Sequence, residues 1–191
     1  MGDLGPPCFA AGTLIETEYG MTRVEDIQVG DLVRTLDNGL KPVQWRGVRG
    51  ASALDKRAPI RFVKGAIGNS RDLLVSPQHK ILLTGWRAEL FFGEDEVLVA
   101  AAHLVNNDTI HRAPRRFVDY HHLMFDAHEI ILAEGIPTES FFPGEYILQD
   151  SDLHDEISDL FPEMIGAASL DWTFARPVMA GAEAKVLCGD R

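Results

Sequence analysis

The sequence predicts a mainly β protein: an antiparallel, pseudo-twofold β fold followed by a short C-terminal helical appendage. Three observations predict it. The first two-thirds of the 191 residues is a succession of short segments rich in Val, Ile, Leu or Thr, bounded by turn residues. A ten-residue unit is echoed within the chain. After Pro143 the pattern changes from strand-like to helical spacing.

Taken in order, the strand-like segments are 13–18, 31–36, 41–48, 60–63, 73–75, 80–84 and 96–99. The sharpest punctuation is Asp37-Asn38-Gly39, because Asn-Gly supplies the positive-φ pair of a tight hairpin. Tyr19-Gly20 and Gly93-Glu94-Asp95 read as further turns. Many short strands joined this way imply antiparallel, non-local pairing. The echo lies between residues 24–33 and 101–110, where a helical turn runs into a Gly/Asn-Asp corner and a strand follows. Gly30 and Asn107 are residue types that tolerate left-handed backbone at such a corner. Beyond Pro143, Leu153, Ile157, Leu160 and Phe161 fall at helical spacing behind acidic residues, and Pro162 ends the run. Residues 1–7 are thus an upstream peptide, 8–144 the β domain, and 145–191 a helix and tail packing on it.

Composition narrows the function. A formal net charge of −11 argues against binding a phosphate backbone, which needs clustered Lys and Arg, so no nucleic-acid partner is expected. The basic residues at Arg112, Arg115 and Arg116 and between Arg46 and Arg61 read as solvated hairpin ends. No run approaches the roughly 18 apolar residues of a membrane span, and residues 1–7 lack a signal peptide's basic and apolar regions. The expectation is no membrane partner, with residence in the cytoplasm or export with a partner domain. Two cysteines at opposite ends, Cys8 and Cys188, do not make a disulfide framework.

Cys8 carries the chemistry. It opens an apolar β-like run with little chain before it, so its thiol can attack its own preceding carbonyl. A free thiol, with a reference pKa near ~8.5, needs activation for that. Ser76 and His79, in Ser76-Pro77-Gln78-His79 between two strands, can converge on one peptide group. The hydroxyl would bond the scissile carbonyl or neighbouring backbone, and His79 would donate to the amide nitrogen as it leaves. A third cluster lies at 119–129, with His121, His122, Asp126 and His128. In an extended segment His122, Asp126 and His128 share one face, a candidate charge relay or metal group.

Together these segments resemble the Hedgehog/intein (Hint) superfamily, specifically its stand-alone bacterial Hint-like domains. Residues 8–15, continued by 24–33, match the opening motif; Ser76 and His79 match the second block, where most inteins carry Thr in place of Ser76. Residues 120–135 match the later block, with His128 at the downstream His position and His121 where Asp or Asn often stands. Whether His121, His122 or Asp126 takes that role stays open at this level.

The resemblance implies a horseshoe-like, intein-type fold and a self-acting mechanism. Cys8 would attack the Pro7 carbonyl in an N–S acyl shift, His79 would protonate the departing nitrogen, and Ser76 with backbone donors would hold the oxyanion. The pairing predicts a bell-shaped pH–rate profile. The partners implied are the chain's own upstream segment and an external nucleophile, water, a thiol or an amine; no cofactor and no metal are implied. No His-Asn pair ends the β unit, so the expectation is N-terminal cleavage or acyl transfer, not splicing. Residues 1–7 would be a trivial leaving peptide, so the chain reads as a module of a longer protein or as a fold kept without its chemistry. Two rival readings are a degenerate Hint fold acting as a non-catalytic interaction module, and a metal-binding domain using Cys8, His79, His122 and His128.

Overall fold

The computed structural model describes residues 6–142 and 173–179. Fourteen strands are named in the described chain: β1 (Phe9–Ala10), β2 (Leu14–Thr17), β3 (Gly20–Arg23), β4 (Leu32–Thr35), β5 (Gly39–Pro42), β6 (Trp45–Ala53), β7 (Ile60–Phe62), β8 (Leu73–Val75), β9 (Lys80–Thr84), β10 (Glu96–Ala100), β11 (Ile110–Arg112), β12 (Arg115–Met124), β13 (Ile130–Ala133) and β14 (Ile136–Glu139). One helix, α1 (Trp86–Phe92), follows β9. It is bounded by Gly85 at φ 129° and Gly93 at φ 70°, backbone that side-chain-bearing residues resist.

The strands form two antiparallel sheets. The first runs β11-β7-β8-β1-β12-β6; the second runs β10-β9-β14-β13-β2-β4-β5, with β3 on β2. A shared core joins them: Phe9 and Phe62 from the first sheet pack with Ile15, Val33, Ile81 and Ile131 from the second. The other face of the first sheet carries a smaller cluster of Cys8, Ala10, Ala53, Val118 and Tyr120. That second face is where the chemistry-bearing residues gather.

The expected all-β class holds, with β8 and β9 at the boundaries read from sequence. The corner residues of the internal echo are both left-handed, Gly30 at φ 94° and Asn107 at φ 60°. Two readings need correction. The 41–48 segment is two strands, because the chain changes sheets there: Val43 N–H still donates to Asp31 O in one sheet, and Gln44 N–H donates to Met124 O at the other. The Asp37-Asn38-Gly39 turn is not a two-residue hairpin. Thr35 pairs with Gly39 around the three residues 36–38, none of them left-handed, and the left-handed position is the closing residue Gly39 (φ 67°). Asn38 instead spends its side-chain amide on Glu129, at 3.1 and 3.0 Å from the two carboxylate oxygens, and its own N–H on Thr35 Oγ1.

The helix expected after residue 150 and Cys188 lie outside the described residues. Thr173 to Met179 runs beside β10: Leu98 N–H donates to Pro177 O at 2.8 Å and Met179 N–H to Leu98 O at 2.9 Å. Arg176 anchors it through Asp37 and Glu96, at 2.7 and 2.5 Å. Among the described residues no helix is long and apolar enough to cross a membrane.

Candidate functional site

Pro6 and Pro7 lead into Cys8 with fixed φ and no backbone N–H, so their carbonyls are held in place without ladder bonds of their own. Cys8 is 3% exposed and flanked by β8 on one side and β12 on the other. Register does the rest. Phe9 pairs with Val75 and with His121, which sets Cys8 beside Ser76 and His122. Alternate residues share a face, so Ser76, Cys8 and His122 stand in one row across three strands.

The row is fully hydrogen-bonded. Cys8 N–H donates to Ser76 Oγ at 3.0 Å, and Ser76 Oγ–H donates to Pro6 O at 2.9 Å. Ser76 N–H returns to Cys8 O at 3.0 Å. His122 Nδ1 lies 2.9 Å from Pro7 O and its Nε2 lies 3.3 Å from Cys8 Sγ, while the Cys8 thiol donates to Pro6 O at 2.9 Å. The tautomer in which Nδ1–H donates to the Pro7 carbonyl leaves the Nε2 lone pair facing the sulfur, ready to take the thiol proton when it turns from Pro6 O. A single imidazole thus touches the carbonyl and the sulfur that flank the Pro7–Cys8 bond. Phe141 steadies its ring edge-on at 5.1 Å.

Burial sets the charge states. It pushes the Cys8 thiol well above its ordinary value, against smaller opposing effects of the Ser76 bond and the Arg49 charge. It lowers His122 to about 4, outweighing the Pro7 carbonyl that favours the protonated ring. At neutral pH the pair is therefore a thiol beside a neutral imidazole, a base ready to accept a proton.

The other predicted residues divide. His79 is buried and lowered to about 4 by desolvation, and its ring lies edge-on to Phe9 at 4.4 Å. Neither ring nitrogen has a hydrogen-bond partner, and the amide nitrogen it was expected to serve bonds Ser76 Oγ. His121, next to His122, faces the other side of β12, where Glu25 and Arg46 are its charged neighbours and burial lowers its pKa. Asp126 does not share a face with His122: β12 ends at Met124, the alternation stops, and Asp126 lies exposed against Lys41 Nζ at 2.7 Å.

His128 belongs to a separate buried cluster. Its Nδ1 accepts Ala175 N–H at 3.0 Å, which leaves the proton on Nε2, facing Glu139 Oε2 at 3.5 Å. That separation is long for a hydrogen bond, and the contact is chiefly electrostatic. Lys80 Nζ stands 3.3 Å from the same oxygen, and Lys80 N–H donates to Glu139 Oε1 at 2.7 Å. Burial alone would raise Glu139, yet Lys80 and His128 hold it below the usual carboxylate range. Lys80 and Glu139 were missed by sequence reasoning, although a lone Lys opening the apolar run Ile81-Leu82-Leu83 was a usable signal. Lys80→Met leaves a buried carboxylate without its cation and should cost about 3–5 kcal/mol, read from urea denaturation.

Among the described residues no group of three or more His, Cys, Asp or Glu side chains is placed to hold a metal ion. The metal-binding reading of Cys8, His79, His122 and His128 fails on that geometry, since His128 turns to Glu139 and the Cys8 thiol pairs with His122.

The two buried rings also predict acid lability. Unfolded histidines titrate near ~6.5, and His79 and His122 titrate at about 4 in the fold. Between those values the unfolded chain binds more protons, so stability is complete above about pH 6.5 and falls as pH drops towards 4. The loss is on the order of 3 kcal/mol per ring, visible as a falling urea midpoint between pH 7 and pH 4.

An antiparallel two-sheet fold with a cysteine ahead of its first strand, held between a Ser-x-x-His turn and a late histidine, is the arrangement that the resemblance to Hint domains implies. The family model of the Hint domain matches residues 7–145, and the chain belongs to that family. No curated protein matches it. Solved structures similar in fold include the bacterial intein-like domain from Clostridium thermocellum, 17% identical with a TM-score of 0.48, covering 70% of this chain and 97% of that one. The MchDnaB-1 intein is 18% identical with a TM-score of 0.46, covering 68% of this chain and 98% of its own. A DnaB intein from Synechocystis is 11% identical with a TM-score of 0.44, covering 70% and 98%.

Proposed function

We propose that this Hint domain cleaves or transfers its own upstream segment through an N–S acyl shift at Pro7–Cys8. The observation that carries the reading is the bridging imidazole, 2.9 Å from Pro7 O and 3.3 Å from Cys8 Sγ. His122 Nε2 takes the thiol proton as Sγ bonds the Pro7 carbonyl carbon, and the carbonyl electron pair moves onto oxygen, facing Nδ1–H. The tetrahedral species collapses by breaking the C–N bond, and the nitrogen leaves with the proton carried by His122. Ser76 Oγ orients that nitrogen throughout. Because nucleophile and electrophile are neighbours in one chain, the entropy of bringing them together, roughly 7–11 kcal/mol, is already met. An external nucleophile, water, a thiol or an amine, then takes the acyl group from sulfur.

His122 thereby assumes the proton-transfer work the sequence assigned to His79, which retains a structural place on Phe9. The test is hydroxylamine or thiol treatment followed by intact-mass measurement. Loss of residues 1–7 as the hydroxamate or thioester supports the reading. An unchanged mass after prolonged treatment of the folded protein sinks it.

One observation favours a second reading, a Hint fold kept as a non-catalytic interaction module. The thiol is buried and its ionisation is strongly disfavoured, as for many inert core cysteines. The same mass measurement separates the two.

A further inference from the structure

Next to the row of Ser76, Cys8 and His122 stands a second row on the same sheet face. Ala10 of β1 pairs with Tyr120 of β12, and Tyr120 pairs with Arg49 of β6. Tyr120 is two residues from His122 and lies diagonally across from Cys8, the separation at which long side chains on a sheet still meet. It packs in the same cluster as Cys8 and Ala10 and is 6% exposed. Its hydroxyl oxygen is buried and has no hydrogen-bond partner. Its neighbours beside the thiol do have partners: Cys8 N–H on Ser76 Oγ, Ser76 Oγ–H on Pro6 O and His122 Nδ1 on Pro7 O.

A buried hydroxyl left without a partner is costly, and a phenylalanine of the same shape would avoid the cost. The Tyr120 hydroxyl is thus a buried donor without an acceptor in the resting state, beside the reacting thiol. During acyl transfer the thiol proton makes His122 cationic, and the negative charge develops on the Pro7 carbonyl oxygen. In the resting state that oxygen has His122 Nδ1–H. Oxyanion sites work with donors already aimed at where charge will form, and those donors need not touch the ground-state carbonyl.

We infer that Tyr120 Oη–H is a catalytic donor to the tetrahedral oxyanion, the second beside His122 Nδ1–H, in both formation and breakdown of the thioester. The inference rests on the acyl-shift reading above. The bookkeeping is unchanged by it: Sγ bonds carbon, the π pair settles on oxygen, and the thiol proton rests on His122 Nε2 until the nitrogen departs. Tyr120 donates a hydrogen bond and keeps its proton. Burial, with the Cys8 site as a lesser cause, raises its phenol above the ordinary range, so it stays a donor at every working pH.

Tyr120→Phe separates this role from a packing role. The full chain is treated with hydroxylamine and the loss of residues 1–7 is followed by mass, beside a urea denaturation curve. The expected result is a rate about 100-fold lower, a denaturation midpoint equal to or above the parent's, and a pH–rate profile of unchanged shape. A parent-like rate in Tyr120→Phe overturns the inference and leaves the acyl-shift reading standing. A parent protein that releases nothing overturns both. A slower rate accompanied by a lowered midpoint would show a packing role and also counts against the hydroxyl.

Discussion

Cys8→Ala should release no upstream peptide under conditions in which the parent protein does, and Cys8→Ser should be slower by orders of magnitude. Among the described residues Cys8 carries the one thiol, and alanine leaves His122 with nothing to deprotonate. The substitution is otherwise gentle. Cys8 packs among Ala10, Ala53 and Val118, and its backbone N–H and C=O bonds to Ser76 do not depend on the side chain. Loss of activity would therefore come with little loss of fold. The measurement is intact mass after hydroxylamine, with circular dichroism alongside. Equal release from Cys8→Ala and parent would show that the peptide is lost by some route not involving the thiol.

His122→Gln should be the next most damaging change, lowering release about 10³-fold, the middle of the range for a positioned acid–base group. Glutamine can still donate to the Pro7 carbonyl, but it cannot take the thiol proton. His79→Gln should cost much less, because that ring bonds neither the Pro7–Cys8 amide nor the thiol. The pH profile carries the same distinction. The bell shape expected from sequence assumed an imidazolium at His79 near neutrality, whereas burial lowers both rings to about 4. Release should then be nearly level through the neutral range and fall away in acid as His122 protonates towards pH 4. A reversed order, with His79→Gln inert and His122→Gln active, would return the proton-transfer role to His79.

How much of this was legible in the sequence depends on the range of the interaction concerned. Local grammar was clear: the Ser76–His79 turn sits between β8 and β9 as expected, and Gly30 and Asn107 both turn left-handed. The three-residue hairpin was not, because Asn38 is claimed by Glu129, 91 positions away. The choice among His121, His122 and Asp126 was likewise closed to sequence. Alternation along β12 says that neighbours face opposite ways, but only the pairing of β1 with β12 says which way meets Cys8. Asp126 fell off the pattern when the strand ended two residues earlier. Lys80 and Glu139 are ordinary residues in isolation, and their role exists only in their meeting with His128.

The thiol and the imidazole that contacts it are separated by 114 positions, and the strands that join them are among the first and the last of the β unit. On a ribosome adding roughly 5–20 residues per second, Cys8 waits on the order of ten seconds before its counterpart exists. During that interval the nascent chain carries an unassisted cysteine. The junction upstream is thus shielded by synthesis itself, and translation sets the earliest moment at which the pair can come together.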